Sequence, residues 1–524
     1  MRFRLHPLQQ KLSLLATKVL SKATVDAKIG QHIWPAWIAM FCLGALTVLS
    51  FAPFSWYLLA PVLVIPLLYC FFYCEPRQSA ILGFAYGAGL FLTGTHWLYI
   101  SIHIFGQVPW FLAVLLMVTL VFIMAVYYAA IGFFISTTSR RKPWIFLAVA
   151  PTTWIIFEWL RGWLLTGFPW MTLGYSQIDS PLAGFGPIAG IYGVSLIAVT
   201  SASAIMIFLI LSSTRRYMVL CIAIVPWFIG GVLRTIDWTE VAGPPVRATV
   251  VQGGVPQDRK WLREQFRPTL ELYRSSLIQN ADSDLVLWPE VAIPAVIDQV
   301  GSYIETLQSD ISKVNTTLLL GILERDESLT HVYNSVIALD GLSLQSYKKR
   351  HLVPFGEYFP VPDSIREWMR MMNLPFSDIS PGVSVQPLLR MPDGNALSVA
   401  ICYEDAYAAE QLYALPDATI LINVSNDAWF GDSIAPHQHL QIARMRALEV
   451  GRYVIRATNN GISAFISPDG DLIQTGEQFR YATITEDVVP RTGVTPYTVV
   501  GNRLVITFSL VISGFFALRT RLRN

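Results

Sequence analysis

Eight long apolar stretches mark the chain, seven of them before residue 236 and one after residue 500. Each has about the 20 residues that an α-helix needs to cross a bilayer. The pattern therefore predicts a polytopic α-helical membrane domain over residues 33–236 and a C-terminal transmembrane helix. The predicted spans cover residues 33–51, 56–74, 79–100, 110–136, 144–164, 188–211, 217–234 and 501–519.

The link between the first two predicted spans is short and contains a proline, in the sequence Ala52-Pro53-Phe54-Ser55. Proline interrupts helical hydrogen bonding, but such breaks also occur inside single membrane helices. The pattern alone leaves open whether residues 33–74 are two spans or one broken helix. The predicted number of spans is therefore eight, or seven if this helix is broken.

Residues 237–495 follow a different pattern, in which short apolar runs alternate with polar segments. Runs of this length are typical of buried strands. Helical spacing over residues 260–280 and 437–451 predicts helices that pack on a sheet. We predict an extramembrane α/β domain, a layered sandwich of mixed strands and helices. The predicted strands cover residues 247–252, 285–288, 317–323, 333–339, 397–402, 419–425, 453–458 and 463–467.

Composition agrees with a membrane protein, because 53% of the residues are hydrophobic and 14% are charged, while soluble proteins average about 25% charged residues. The net charge of +2 is too small, and the basic residues too scattered, for a nucleic-acid partner.

His437 and His439 are two residues apart and would not share a helix face. No Cys/His spacing typical of metal sites occurs, so neither a metal nor another cofactor is expected.

Basic residues in the short loops predict the orientation in the membrane. Arg77, Arg140-Arg141-Lys142 and Arg215-Arg216 fall on one side, whereas the loops 101–109 and 166–187 contain no lysine or arginine. Both termini are therefore expected in the cytoplasm and residues 235–500 outside it. Residues 1–32, which are rich in lysine and arginine, are expected to form a cytoplasmic amphipathic segment on the membrane surface.

Cys402 is the candidate nucleophile, since the other cysteines lie in predicted spans, where small buried hydrophobic residues are common. It follows an apolar strand and precedes the polar run Tyr403-Glu404-Asp405. A buried core thiol is the alternative, but this boundary position favours an accessible one. A lysine nearby would lower the pKa of the Cys402 thiol toward the reactive thiolate.

Glu290 and Lys349 are candidate partners of such a thiol. Glu290 follows Trp288-Pro289 at the end of a predicted strand, where a partly desolvated carboxylate suits a general base. A surface acid that caps a turn fits the same spacing. Lys349 lies in a basic run that a solvated surface also explains, and position alone does not choose between it and Lys348. A fixed ammonium near the thiol would stabilise the negative oxygen of a tetrahedral intermediate.

Three segments resemble, in order and context, the Glu-Lys-Cys motifs of the nitrilase superfamily. They are Trp288-Pro289-Glu290, Tyr347-x-Lys349 running into Leu352-Val353-Pro354-Phe355-Gly356-Glu357, and Cys402-Tyr403-Glu404. This resemblance implies an αββα sandwich for the extramembrane domain. Its fusion to membrane spans resembles the apolipoprotein N-acyltransferase family. Further segments similar to that family are Phe51-Ala52-Pro53-Phe54, Glu158-Trp159-Leu160-Arg161-Gly162 and Asn426-Asp427-Ala428-Trp429-Phe430.

The resemblance implies transfer of a fatty acyl chain from a membrane phospholipid to the N-terminal amine of diacylglyceryl-cysteine in apolipoproteins. The reaction would be ping-pong, through a thioester on Cys402. The implied partners are the phospholipid donor, the diacylated apolipoprotein and membrane lipids, and a monomer is expected. The implied place is the bacterial inner membrane, with the nitrilase-like domain facing the periplasm. The implied site residues are Glu290, Lys349 and Cys402 as catalytic groups, Glu357, Tyr403 and Glu404 in support, and Trp261 in substrate binding.

Two alternative functions fit the same motifs. A membrane-anchored amidase of the superfamily would use water as the acyl acceptor, although eight spans exceed what an anchor needs. A receptor or transporter with a nitrilase-like domain is disfavoured by the complete Glu-Lys-Cys set. Two further expectations concern the membrane: an ion pair between Glu158 and Arg161, and a lid at residues 361–375 that dips into the bilayer unless its methionines pack in a core.

Overall fold

The computed structural model describes residues 33–341, 343–358 and 379–522. The predicted amphipathic segment at residues 1–32 and the predicted lid at residues 361–375 lie outside the described residues. The description therefore covers the helical region of the chain, the α/β region and the last helix.

A helix lies at each of the eight predicted spans. Six of the eight are long and apolar enough to cross a membrane. Leu59–Tyr73 is apolar but has only 15 residues, and Pro76–Gly94 is long enough but less apolar. A helical membrane domain is thus confirmed. The helices are Ile33–Thr47, Leu59–Tyr73, Pro76–Gly94, Trp110–Ser139, Pro143–Arg161, Gly186–Ile210, Arg216–Leu233 and Arg503–Arg521.

Residues 33–74 form two helices. The first ends at Thr47, a short 3₁₀ turn follows over Val48–Ser50, and the second helix begins at Leu59. The backbone N–H of Trp56 donates to the carbonyl oxygen of Leu49 at 3.0 Å, so the connecting segment folds back on itself. The backbone therefore favours two separate helices, and a membrane crossing by each of them stays a prediction.

Glycines allow the membrane helices to approach closely. A methyl group built on Gly44 would lie 1.9 Å from the carbonyl oxygen of Tyr86, and one on Gly89 would lie 2.0 Å from that of Phe41. The helices Ile33–Thr47 and Pro76–Gly94 therefore touch backbone to backbone. Small residues at such contacts are common in membranes, where packing replaces the hydrophobic effect as the force between helices.

Fourteen strands lie in the described residues of the α/β region. One six-stranded sheet has the order β13-β2-β3-β4-β5-β6, a second has the order β12-β11-β10-β9-β8-β7, and β1 pairs with β14. The strands are β1 (Glu240–Val241), β2 (Val246–Gln252), β3 (Leu285–Leu287), β4 (Thr317–Arg325), β5 (Val332–Leu339), β6 (Leu344–Lys348), β7 (Leu389–Arg390), β8 (Ala396–Ile401), β9 (Ile420–Ser425), β10 (Val454–Thr458), β11 (Ala464–Ile466), β12 (Leu472–Thr475), β13 (Ala482–Val488) and β14 (Arg491–Thr492).

The two sheets face each other across an apolar interior. Side chains of β2, β3 and β5 pack there against those of β8, β9 and β10. The helices Arg263–Gln279 and Gly301–Ile311 cover the outer face of the first sheet, and the helix Ala435–Val450 covers that of the second. The layers therefore run helix, sheet, sheet, helix, which confirms the αββα sandwich.

The sandwich and the membrane helices share one apolar cluster. It contains buried residues of the membrane helices together with Ala435, Ile442, Met445 and Leu448 from the helix Ala435–Val450. That helix therefore packs on the second sheet with one face and on the membrane domain with the other. Ala406 and Tyr407, which follow β8, belong to the same cluster, so the carboxyl end of this strand lies at the junction.

Candidate active site

Cys402 begins a tight turn at the end of β8. The strands β8, β9 and β10 run parallel, so their carboxyl ends meet at one edge of the sheet. The 3₁₀ turn Cys402–Ala406, called here the nucleophile turn, starts at this edge. Cys402 has a φ of +54°, a left-handed conformation that costs free energy for a residue with a Cβ. Contacts around the turn must offset that cost.

Lys349 lies between two carboxylates at the end of β6. Its Nζ is 3.3 Å from Oε1 of Glu290 and 2.9 Å from Glu357. The amide nitrogen of Asn334 donates to Glu290 at 2.8 Å and to Glu357 at 3.0 Å. The backbone N–H of Val353 also donates to Glu357, at 2.8 Å. The structure thus joins the predicted Glu290, Lys349 and Glu357 in one hydrogen-bonded group.

This arrangement keeps Lys349 charged. Its side chain is only 1% exposed, and burial by itself would lower the pKa of the ammonium. The negative charges of Glu357 and Glu290 outweigh burial, so the pKa of Lys349 lies well above its usual range. Lys348, the alternative left open by the sequence, instead places its Nζ 4.2 Å from the centre of the Tyr333 ring. Lys349 is therefore the lysine that faces the carboxylates.

The thiol of Cys402 is electrostatically coupled to the same group. Burial raises the pKa of the thiol and the charge of Glu290 raises it further, while Lys349 lowers it. The net pKa lies well above the usual value for cysteine. Lys349 thus lowers the pKa of the thiol, as expected, but burial and Glu290 together outweigh this effect. A thiol whose pKa is raised in this way needs a base before it can act as a nucleophile.

Glu404 links the ends of β6 and β8. Its carboxylate accepts the backbone N–H groups of Arg350 at 2.7 Å, His351 at 3.2 Å and Ile401 at 2.7 Å. The hydroxyl of Tyr347 donates to both carboxylate oxygens. Burial raises the pKa of Glu404, and these donors oppose that effect. Glu404 therefore fixes the strand ends that carry Lys349 and Cys402, and does not itself join the carboxylate group.

Tyr403 points toward the membrane domain. Its hydroxyl donates to the carbonyl oxygen of Gly167 at 3.3 Å, and Tyr407 donates to the same oxygen at 3.1 Å. The ring of Tyr403 stacks on Trp170 at a centroid distance of 6.4 Å. Gly167 has a φ of +82°, which glycine adopts without strain. Residues 163–172, called here the Trp170 loop, thus contact the nucleophile turn directly.

Glu158 and Arg161 hold the Trp170 loop. Glu158 accepts the backbone N–H of Leu173 at 2.9 Å, and Arg161 donates to the carbonyl oxygens of Phe168 and Trp170. Arg161 binds atoms of the loop and Glu158 binds the residue directly after it, and no ion pair joins the two within 4.0 Å among the residues that the structure describes. The predicted ion pair is therefore wrong, since the loop takes the place of the partner charge.

Trp261 is 55% exposed, next to a buried lysine that the sequence did not single out. Lys260 is 3% exposed, and its Nζ donates to the backbone carbonyl of Glu290 at 3.2 Å. Burial lowers the pKa of Lys260 to about 8, although the charge of Glu290 opposes the shift. Lys260 therefore anchors the turn that presents Glu290, where the following residue, Val291, has a φ of +45°.

We expect Lys260→Met to lower kcat/KM for the reaction at this site about tenfold. Methionine has a similar length but cannot donate to the Glu290 carbonyl, and one buried hydrogen bond is worth about 1 kcal/mol. Arg259→Met, an exposed change at the neighbouring position, is the matched control and should keep the wild-type value. Kinetics with both purified variants check this. Equal kcat/KM values for the two variants would mean that Lys260 does not support Glu290.

Sequence patterns offered little signal for Asn334 and Lys260. Asn334 lies at the start of β5, opposite the end of β6, and only the pairing of these strands brings it to the carboxylates. Lys260 follows a strand by several residues, so its burial depends on how the loop folds. The run Pro256-Gln257-Asp258-Arg259-Lys260-Trp261 contains three charged residues and looks like an ordinary exposed loop.

Fold and site together define a membrane-bound protein of the carbon-nitrogen hydrolase class. Residues 247–497 match the family model of the carbon-nitrogen hydrolases, and residues 43–204 match that of the apolipoprotein N-acyltransferase N-terminal domain. The chain belongs to the apolipoprotein N-acyltransferase family. This membership confirms the resemblance found in the sequence and, with the apolar helices, makes the chain a multi-pass bacterial membrane protein.

Curated relatives match almost the whole chain. An apolipoprotein N-acyltransferase of Nitrosomonas europaea is 40% identical over 486 residues, which cover 92% of this chain and 97% of the relative. One from Coxiella burnetii is 40% identical over 480 residues, covering 89% and 98%. Among solved structures, Nit3 of Saccharomyces cerevisiae, from branch 10 of the nitrilase superfamily, is 19% identical with a TM-score of 0.37, covering 48% of this chain and 92% of Nit3.

Proposed function

We propose that this protein transfers a fatty acyl chain from a membrane phospholipid to the N-terminal amine of diacylglyceryl-cysteine in apolipoproteins, through a thioester on Cys402. Family membership makes it an acyltransferase and displaces the amidase and receptor alternatives. The observation that carries the proposed mechanism is the position of Lys349 between Glu290 and Glu357, next to a Cys402 thiol whose pKa is raised by burial and by Glu290. It offers a base, a cation and a nucleophile in one buried group.

In the first half-reaction Glu290 takes the proton of the Cys402 thiol, and sulfur attacks the ester carbonyl of the phospholipid. The negative oxygen of the tetrahedral intermediate forms beside the Lys349 ammonium, which stabilises it. The carbon–oxygen bond then breaks, and the lysophospholipid leaves with the proton from Glu290. The acyl chain stays on Cys402 as a thioester.

In the second half-reaction the neutral amine of the acceptor attacks the thioester. Glu290 accepts the amine proton, the carbon–sulfur bond breaks, and the proton returns to Cys402 sulfur. Both substrates are lipids, and the Trp170 loop joins the membrane helices to the nucleophile turn through Tyr403. We infer that donor and acceptor reach the thiol in turn along this junction. Glu357 and Asn334 keep Lys349 in place during both half-reactions. Trp261 contacts a substrate.

A mass-spectrometric assay tests the proposed reaction. Purified protein is incubated with phospholipid and a synthetic diacylated lipopeptide, and the lipopeptide is weighed. A third acyl chain on its N-terminal amine is the expected product. Phospholipid alone should add one acyl chain to the peptide that contains Cys402, and neutral hydroxylamine should remove it. Release of free fatty acid without lipopeptide acylation would indicate a hydrolase instead.

We further propose that the protein resides in the inner membrane, as the family resemblance implies, and that residues 235–500 lie in the periplasm, on the basis of the basic residues in its short loops. Alkaline phosphatase, which is active only outside the cytoplasm, should be active when fused after Gly243. A fusion after Arg141 should be inactive. Enzyme activity in cells carrying each fusion checks the orientation, and the reverse pattern would overturn it.

A further inference from the structure

A buried group of four charges lies beneath the nucleophile turn. His439, on the helix Ala435–Val450, contacts Asp405 of the nucleophile turn and Asp427, which follows β9. Arg456 of β10 contacts both aspartates, at 3.4 Å and 2.8 Å. All four side chains are at most 3% exposed. None of them has a role in the acyl-transfer steps given above.

Geometry fixes the charge of His439. Its Nδ1 is 2.8 Å from Oδ1 of Asp427, while its Nε2 is 3.0 Å from Oδ1 of Asp405 and 3.1 Å from the backbone carbonyl of Cys402. Every one of these partners is a hydrogen-bond acceptor. A neutral imidazole has a single N–H and would leave one nitrogen lone pair facing an oxygen. Both nitrogens therefore donate, and the ring is an imidazolium.

The charges around the ring agree with this assignment. Burial and the positive charge of Arg456 would lower the pKa of His439, but Asp405 and Asp427 outweigh them and raise it to about 9. With the imidazolium present, two negative and two positive charges balance in the buried group. Loss of the proton would leave an uncompensated negative charge inside the fold, which is costly.

The residue before His439 on the same helix, Gln438, binds the membrane domain. The side-chain oxygen of Gln438 accepts the indole N–H of Trp170 at 2.7 Å and that of Trp97 at 3.2 Å. Its amide nitrogen donates to the carbonyl oxygen of Gly94 at 3.2 Å. Gln438 and His439 therefore connect the ends of the membrane helices to the backbone of Cys402 across a single peptide bond.

We propose that His439 is a positioning residue for the nucleophile. As an imidazolium it donates to the backbone carbonyl of Cys402 and holds Cys402 in its left-handed conformation. Through the neighbouring Gln438 it also connects Cys402 to the membrane domain. The hydrogen bond offsets the strain of the φ of +54° at Cys402. The thiol is thereby kept in the group that contains Glu290, to which it is electrostatically coupled. This role deepens the proposed acyl transfer and rests on it.

The test compares His439→Gln with the wild type and with His437→Gln, a matched control on the same helix that is not in the charged group. Two rates are measured from pH 6 to pH 10: thioester formation from phospholipid, and alkylation of Cys402 by iodoacetamide. We expect His439→Gln to slow thioester formation about 100-fold, as a misplaced nucleophile does. Alkylation should slow about tenfold, because the thiol no longer faces its base. His437→Gln should match the wild type.

For each of the two rates, the ratio of the wild-type value to the His439→Gln value isolates the titration of His439, since the two proteins share the other titrating groups. The raised pKa means that the cation is present below pH 9 and is lost as the pH rises through 9. The ratio should therefore be constant up to about pH 8 and shrink above pH 9. A folded His439→Gln variant with wild-type rates, or a ratio that does not change with pH, would overturn the proposal.

Two further variants keep the test decisive if His439→Gln does not fold. His439→Lys retains a cation with several donors and should recover at least some of the thioester rate. Asp405→Asn removes one negative charge facing the ring, so it should lower the pH above which the thioester rate falls. If the rate of thioester formation in Asp405→Asn falls at the same alkaline pH as in the wild type, the proposal is contradicted. Failure of the proposed acyl transfer is distinguishable, because it would abolish the thioester in the wild type while the alkylation rates still report on His439.

Discussion

Cys402→Ala should abolish acyl transfer, with a fall in kcat of about 10⁴-fold or more, as occurs when a catalytic nucleophile is removed. Alanine offers no atom that can hold the acyl chain, so neither half-reaction can proceed through the enzyme. Only the sulfur atom is lost from a partly buried site beside the sandwich interior, so the protein should still fold and insert into the membrane. The lipopeptide assay measures the activity, and mass spectrometry shows whether any acyl adduct forms.

The control for this change is Cys221→Ala. Cys221 is exposed on the membrane helix Arg216–Leu233, far along the chain from the site, and its loss should leave the rate unchanged. The two variants remove the same thiol group, so only the position differs. Wild-type transfer by Cys402→Ala would rule out the thioester route.

Lys349→Met should lower kcat about 1,000-fold, which is the upper range for loss of one oxyanion donor. The change also leaves Glu290 and Glu357 facing each other without their shared cation. Two neighbouring carboxylates without a cation cannot both stay ionised, so one takes up a proton and the base is compromised. Breaking a buried charge group of this kind also costs about 3–5 kcal/mol of stability. Steady-state kinetics and thermal unfolding in detergent measure the two effects.

Lys348→Met is the matched control. It removes the same charge one residue away, where the ammonium lies on the Tyr333 ring. We expect a rate within about threefold of the wild type, because surface charges away from a site have small effects. Raising the pH should partly restore activity in Lys349→Met, since it ionises the carboxyl group that took up the proton. Equal losses in the two variants would mean that Lys349 has no special role.

Strands buried on both faces were predictable, and strands with a polar face were not. All eight predicted strands are present, with ends shifted by at most two residues, because continuous apolar runs such as Ile420–Ser425 indicate burial. The strands β6 and β13 lie at sheet edges, and exposed residues interrupt their apolar pattern. The helix Gly301–Ile311 was also missed, because polar residues separate its few apolar ones.

The candidate site was predictable where a residue follows a strand. Glu290, Lys349 and Cys402 each come directly after an apolar or pleated run, and the family motifs include them. Asn334 and His439 are brought in by other elements, through strand pairing and helix packing. The protonation state of Cys402 was not predictable either, since it depends on the balance between burial, Glu290 and Lys349. This balance depends on distances in the folded protein, which the spacing of residues along the chain does not give.

The apolar cluster shared by the membrane helices and the helix Ala435–Val450 limits how the enzyme can be simplified in the laboratory. A truncated protein made only of residues 237–495 would expose Ile442, Met445 and Leu448, which the full chain buries. Apolar surface of this kind promotes aggregation in water. Inhibitor screens and structural studies therefore need the intact chain in detergent or lipid, and a soluble fragment would report on a distorted nucleophile.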